Sequence, residues 1–258
     1  MSSPEVLAVA HQLTLDAAAL AEETGSACFE RNTSDLCPLA GAMLARAVQS
    51  LLSTDSLARQ GFVGDAMSCS RTAVELAIDF AYIARDPTLI ARFMDYGGVY
   101  HHKLASNVVK HGGVVPAAVI TELQRKRDDF RSNNTGTLGT WAGVQIGQRA
   151  IAAGREVLYN LSYADQCNAT HSGVGTLLFT QVLVGDELLV NFGPVEPSTH
   201  PIALAVTALA VLIGDVTIGC GLDESLGYRS VAIAAGAATI ADNTRGTAGA
   251  TAVSSTTK

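Results

Sequence analysis

Aromatic residues are scarce in this chain: they make up 5% of its 258 residues, and Trp141 is its one tryptophan. Charged residues are also sparse at 16%, whereas 48% of the residues are hydrophobic and Ala and Gly are abundant. A chain this apolar buries enough surface to offset the entropy lost on ordering, which excludes the intrinsically disordered class. Small side chains and few aromatics favour closely packed helices, and the length allows a sizeable core.

Sequence signatures of the common enzyme classes are missing. The chain has no G-x-S-x-G, no H-E-x-x-H, no Walker-type phosphate loop and no dinucleotide-binding glycine pattern. Its five cysteines are widely spaced without a C-x-x-C, so neither a disulfide framework nor a zinc ribbon is indicated. We therefore expect reduced cysteines, a cytoplasmic location and no cofactor.

One apolar run, residues 201–221, is nearly long enough to span a bilayer. Asp215 interrupts it, and a charge near the centre of a span costs about 2.5–3.5 kcal/mol on insertion scales. Aromatic belts and Lys/Arg-rich loops do not flank the run. We interpret it as a buried core helix, with membrane association as the weaker alternative, and the N-terminus lacks a signal-peptide pattern.

Hydrophobic periodicity and helix-start signals predict a single all-α domain over residues 1–243, followed by a disordered tail at 244–258. Region 176–192 is ambiguous because two apolar runs flank Gly185 and Asp186, which fits a β-hairpin or a broken helix. We favour the helix, since the surrounding segments are helical. The other predicted helices cover residues 4–23, 38–59, 63–85, 87–110, 116–132, 141–166, 201–220 and 224–241.

The run from Ala73 to Ala84 is apolar except for Glu75 and Asp79, and Arg71 precedes it. Arg71, Glu75 and Asp79 are spaced i, i+4 and i+8, so they lie in one stripe along a helix. The stripe either faces solvent with an ion pair between Arg71 and Glu75, or lines an interior polar site. In the second case Asp79 needs a further partner, because a buried carboxylate is rarely tolerated unpaired.

The next predicted helix adds His102 and Lys103 as candidate binding residues. Gly97 and Gly98 weaken this helix in mid-run, which indicates a kink or a close backbone approach. Residues 100–131 hold six cations against three acids, a net of +3, so the rest of the chain carries −10. This segment is either a solvated helix face or a site for a small anionic ligand or RNA.

A third polar segment follows an amphipathic run. Tyr159 and Ser162 share a helix face, and His171 follows beyond a predicted break. The segment is either an ordinary helix end with a core histidine or part of a site. If the site is catalytic, His171 is the candidate general acid/base, because an unperturbed histidine titrates near neutral pH.

These polar positions resemble the motifs of an uncharacterised bacterial all-helical family, domain of unknown function 5677, over residues 40–185. The charged stripe and the helix start at Asp86 and Pro87 carry the resemblance. Four further motifs also carry it: Phe93, Asp95 and Tyr96; Trp141; Tyr159, Leu161 and Ser162; His171 and Ser172. It implies an up-and-down bundle in which the polar positions of three segments meet.

The family is also similar to HEPN-type helical domains, some of which are nucleases. Those nucleases place an Arg and a His a few residues apart near a helix end, where the Arg holds phosphate. No Arg precedes His171 at that spacing, and Arg155 lies too far upstream. The resemblance therefore does not imply ribonuclease activity, and a divergent or inactive relative fits equally well.

Two functions remain open. The first is an interior polar site that acts on a phosphodiester or binds a small polar or anionic ligand, in which Arg71 orients the anion. A metal site is disfavoured because the Glu-x-x-His pair of di-iron bundles is absent. The second is a non-enzymatic module that forms a homodimer through its apolar C-terminal helices. For the first function, the candidate catalytic residues are His171, Arg71, Glu75 and Asp79. The candidate binding residues are His102, Lys103, Tyr159 and Ser162.

Overall fold

The structure is a computed structural model that describes residues 3–134, 139–163, 166–167, 170, 181–184, 187–190 and 193–253, the strands and 242–253 by backbone alone. Its fold is all-α, as predicted. The elements are α1 (Ser3–Arg31), α2 (Leu36–Arg59), α3 (Val63–Arg85), α4 (Leu89–Lys110), α5 (Ala117–Asn133), α6 (Ile146–Ala153), α7 (Glu156–Leu158), a π-helical turn (Tyr159–Tyr163), β1 (Gln181–Val184), β2 (Glu187–Val190), α8 (His200–Gly219) and α9 (Glu224–Val253).

Helix α8 is the centre of the bundle and packs against α1, α2, α3 and α9. Its side chains Ile202, Val206, Leu209 and Ile213 are fully buried, which confirms the core-helix interpretation of this run. By length and composition α2 and α8 are both apolar enough to span a membrane, but most of each apolar window is buried inside the bundle. The cytoplasmic location stays a prediction.

The predicted helix 141–166 is wrong as one continuous element. The helix ends at Gly154, whose φ of +69° is a left-handed conformation that glycine adopts without strain. The chain then forms α7 and the π-helical turn 159–163. By contrast, α3 begins and ends as predicted.

The helix that we favoured for 176–192 is also wrong where the structure describes this region. β1 and β2 pair antiparallel, with Gln181 opposite Val190 and Val184 opposite Glu187. The β-hairpin alternative therefore holds for these strands, whose Val and Leu residues suit a pleated ladder. Helix α9 continues past the predicted end at residue 241. The disordered tail stays a prediction, and residues 254–258 lie outside the described part.

Helices α4 and α5 form a helical hairpin, and the first half of α4 contacts the rest of the protein. Phe93 packs edge to face on Trp141 with ring centroids 5.0 Å apart. Gly98 lies so close to Lys126 that a Cβ would sit 2.7 Å from the Cβ of that lysine, so the predicted close approach is confirmed there. Gly97 faces open space, and the helix continues through both glycines.

Candidate functional site

Arg71, Glu75 and Tyr163 form a hydrogen-bonded triangle, called here the Tyr163 cluster. Arg71 Nε donates to Glu75 Oε1 at 2.8 Å, and its Nη2 donates to the Tyr163 hydroxyl at 2.8 Å. That hydroxyl in turn donates to Glu75 Oε1 at 3.0 Å. The cluster therefore ties the π-helical turn to α3, and Tyr163 itself is buried.

Electrostatics keep the Tyr163 hydroxyl protonated and Arg71 charged. Burial raises the pKa of Tyr163, and the Glu75 carboxylate raises it further. Burial lowers the pKa of Arg71, but Glu75, Tyr163 and Cys167 together raise that pKa by more, so the net shift is upward. The arrangement suits a structural ion pair, because neither the tyrosine nor the arginine titrates near neutral pH.

Asp79 belongs to a second group, the Asp79 cluster, with Trp141 and Arg149. Arg149 Nε donates to Asp79 Oδ1 at 2.7 Å, and Trp141 Nε1 donates to Asp79 Oδ2 at 3.1 Å. Burial raises the pKa of Asp79, whereas Arg149 and Trp141 lower it by less. Both ion-pair side chains are almost fully buried. This cluster ties α6 and the 139–145 loop to α3.

The structure does not bring the remaining predicted site residues into one constellation. His102 lies on the α4–α5 hairpin, with its Nε2 3.5 Å from Arg127 Nη1, and Lys103 is exposed. Tyr159 stacks on the Tyr163 ring at a centroid distance of 5.1 Å, and Ser162 is buried. His171 lies outside the described residues. The described contacts place His102 beside Arg127 and not in the Tyr163 cluster, and the predicted site as a whole stays a prediction.

Three of the six cations of the basic segment, Arg125, Lys126 and Arg127, are engaged with neighbouring acids. Arg125 donates to Glu122 and to Asp129 at 2.8 Å, and Arg127 donates to Asp128 at 2.6 Å. All of these groups are on or near the surface of α5. The arrangement matches the solvated-face alternative, since each of these arginines already has an acidic partner.

A third ion pair fixes α7 on α8. Arg155 Nε donates to Asp215 Oδ2 at 3.0 Å, and Arg155 Nη2 donates to the other carboxylate oxygen. Burial raises the pKa of Asp215, while Arg155 and then Arg85 lower it by less. Residues 156–163, called here the wall segment, are thus held by Asp215 at one end and by the Tyr163 cluster at the other.

The outer face of the wall segment borders an apolar groove of about 640 Å³. Its other walls are α8 and α9, and the lining runs along α8 from His200 to Ile218, about 27 Å at the rise of an α-helix. Ile218 is 82% exposed, and three other lining side chains, Val157, Leu161 and Val231, are also mostly exposed. Ser162 and the ion pair of Asp215 supply polar atoms.

Metal binding has no support among the residues that the structure describes. No group of three or more His, Cys, Asp and Glu side chains in that part could hold an ion. Glu75, Asp79 and His102, which we considered as ligands, lie in three different environments. The fourth, His171, is not described.

We expect Tyr163→Phe to lower the free energy of unfolding by about 1–2 kcal/mol, because it removes a hydroxyl that bridges two charged groups. Tyr159→Phe is the matched control, since the two rings stack and the structure gives its hydroxyl no such bridge. Urea unfolding of both variants measures the difference. Equal losses in the two variants would show that the hydrogen bonds of Tyr163 carry no stability.

Sequence reasoning missed several residues of the two clusters. Arg149 is a lone cation on the apolar face of α6, a signal that was not used, and Trp141 was used only for the family resemblance. Tyr163 lies one helical turn beyond Tyr159. Gln166, fully buried with its Nε2 donating to Ser70 Oγ at 2.8 Å, gave no comparable signal.

A family model described as "Family of unknown function (DUF5677)" matches residues 39–186. The matched part contains the Tyr163 cluster, the Asp79 cluster and the wall segment, whereas α8 and α9 follow it. No curated protein and no solved structure matches the chain. Because the match covers more than half of the sequence, the chain belongs to the DUF5677 family of unknown function.

Proposed function

We propose that this protein is a non-enzymatic binding module whose ligand site is the apolar groove beside α8. The groove carries the proposal. Ligand sites are typically concave, mostly apolar, about 300–1,000 Å³ in volume, and equipped with a few polar groups. A groove of about 640 Å³ with an ion pair and a buried serine on its border fits that description.

The exposure of the groove side chains supports the proposal. Monomeric soluble proteins rarely leave contiguous large aliphatic side chains in solvent, and such patches mark binding surfaces. Val157, Leu161, Ile218 and Val231 are each more than two thirds exposed and line the same groove. A ligand in the groove would cover them.

The polar clusters support a structural role for the predicted catalytic residues. Asp79 accepts hydrogen bonds from Arg149 and Trp141, and Glu75 accepts from Arg71 and Tyr163. A general base or an anion-binding arginine needs a free lone pair or donor directed at a substrate. In these clusters the same groups hold the wall segment and α6 in place.

Titration with N-phenyl-1-naphthylamine, a neutral dye that fluoresces in apolar sites, tests the proposal. We expect saturable binding to the wild-type protein. Leu161→Glu, which places a charge on the exposed groove wall, should weaken binding at least tenfold, because burying that charge under the dye is costly. The matched control is Leu15→Glu on α1, an exposed leucine outside the groove, and it should bind like the wild type.

Circular dichroism of both variants checks that each remains folded, which their exposed positions favour. Dye binding that is absent from the wild type would overturn the proposal. Equal weakening in both variants would also overturn it, since the dye would then bind elsewhere.

The HEPN-like, nucleic-acid-related function remains a prediction without support from the family match. Arg125 and Arg127 of α5 are already paired with acids, which leaves fewer cations there for RNA or a small anionic ligand. Homodimerisation also stays a prediction. Besides the C-terminal helices, the exposed side chains Met94, Tyr100 and Leu104 on α4 offer an apolar surface for it.

A further inference from the structure

One end of the groove carries an excess of positive charge. Arg155 Nη1 donates to the carbonyl oxygen of Gly154 at 3.1 Å, and Gly154 lines the groove. Arg85 lies beside the same glycine, because a Cβ on Gly154 would sit 3.0 Å from its Nη2. Asp215 is the acid paired with Arg155 here, so two guanidinium groups face one carboxylate.

The rest of the groove is apolar and elongated. It follows α8 for about 27 Å from His200 to Ile218, and the large side chains between these two, Leu204 and Val211, are aliphatic. An elongated apolar floor suits a linear chain better than a compact ring system. The hydroxyl of Thr207 already donates to the carbonyl oxygen of Ala203, so it does not need a hydrogen-bond acceptor from a ligand.

We propose that the groove binds a single-chain anionic amphiphile, with its aliphatic chain along α8 and its carboxylate or phosphate head beside Arg85 and Arg155. This inference rests on the proposed function of the groove and adds the chemical class of the ligand. The guanidinium groups supply charge-assisted hydrogen bonds to the head, and burial of the chain supplies affinity in proportion to its length. A fatty acid and an alkyl phosphate share this chemistry.

Arg85 is the group to test, because its removal leaves the Arg155–Asp215 pair intact. Its Nη1 donates to the carbonyl oxygen of Ala152 at 2.6 Å, and the side chain lies at the surface. Arg85→Gln removes the charge while keeping a donor for that carbonyl. Arg46→Gln on α2 is the matched control, since Arg46 is an exposed arginine outside the groove lining.

The experiment displaces N-phenyl-1-naphthylamine with dodecanoate, dodecyl phosphate and dodecanol, and titration calorimetry with dodecanoate runs in parallel. For the wild type we expect both anions to bind about tenfold more tightly than the alcohol. Arg85→Gln should lose that preference while keeping its affinity for dodecanol, and Arg46→Gln should retain it. Affinity should rise about fourfold for each CH₂ added to the carboxylate.

The results separate this inference from the proposed function. If the dye and dodecanol bind as well as the two anions, the groove is a binding site but the anionic class is wrong. If the preference for anions survives in Arg85→Gln, the charged end is misplaced and the inference falls. If neither the dye nor dodecanoate binds, both the function and the inference are overturned. Comparison of dodecanoate with dodecyl phosphate identifies the preferred head.

Discussion

Replacing Arg149 with alanine is expected to lower the free energy of unfolding by about 3–5 kcal/mol, because it leaves Asp79 buried without its ionic partner. The two side chains are 7% and 13% exposed, and the Nε–Oδ1 distance is 2.7 Å. Trp141 still donates to the carboxylate, but one neutral hydrogen bond replaces little of the lost charge compensation. Asp79→Ala should cost a similar amount, since it strands the arginine.

The double variant Asp79→Leu/Arg149→Met distinguishes the stability contributed by the ion pair from the cost of leaving one buried charge unpaired. Replacing a buried ion pair by apolar residues of similar volume is often neutral or stabilising. We therefore expect the double variant to regain most of the stability that either alanine variant loses. Urea unfolding of the wild type, Asp79→Leu, Arg149→Met and the double variant gives the coupling free energy, and additive losses would show that the pair does not act as a unit.

The same series tests whether the Asp79 cluster affects the groove, which Asp79 does not line. If Asp79 only fixes α6 on α3, the double variant should bind the neutral dye in the groove as the wild type does. A folded double variant that has lost dye binding would mean that the cluster does more than hold the helices together. The Leu15→Glu protein again serves as the reference for unrelated surface change.

Most helices were predicted from local sequence features, namely hydrophobic periodicity and helix-start signals. The segment 63–85 was predicted to the residue because its apolar run is long and Asp86 and Pro87 end it. The core position of 201–221 followed from its hydropathy and from the cost of Asp215 in a membrane. These features depend on neighbours in the sequence, which is the information that a single chain supplies.

Tertiary pairing could not be predicted in the same way. The ion pair between Arg71 and Glu75 could be predicted from the sequence, since the two residues lie one turn apart on a helix. The ion pair between Asp79 and Arg149 joins residues that are 70 positions apart. The sequence gives no reason to choose Arg149 over several other cations as the partner of Asp79. His102 was assigned to the cluster by residue type, but its helix packs along α5 instead.

The break near Gly154 shows why the pairing of Arg155 was not predicted. The apolar periodicity of 141–166 continues through the glycine, so it predicts one helix. The left-handed conformation of Gly154 redirects the chain, and Arg155 then reaches Asp215 on α8. Both members of that pair had been singled out, Asp215 as an interruption and Arg155 as a misplaced arginine, but nothing local linked them.

Replacing Arg155 with methionine is expected to destabilise the protein in a pH-dependent way. The change leaves Asp215 as a buried carboxylate next to an apolar groove, where its side chain is 12% exposed. We expect a loss of about 2–3 kcal/mol at pH 8, below the value for a fully buried pair because Arg155 is 30% exposed. Arg85 nearby moderates the loss, since it also lowers the pKa of Asp215.

The sign of the pH dependence follows from the pKa of Asp215, which burial raises above its ordinary value. The folded protein then binds the proton more tightly than the unfolded chain, so stability decreases as pH rises from about 4 through the raised pKa. Losing the Arg155 charge raises that pKa further and extends the window upward. The deficit of Arg155→Met should therefore be smaller at pH 5 than at pH 8.

Urea unfolding at the two pH values measures this, and Arg155→Met/Asp215→Asn removes the titrating group as the control. The double variant lacks the contribution of Asp215 to the pH dependence, so its deficit should not grow between pH 5 and pH 8. An equal deficit at both pH values in Arg155→Met itself would mean that Asp215 is not held as a charged partner. Dye titration at pH 8 extends the test, because a wall segment released from α8 should also open the groove and weaken binding.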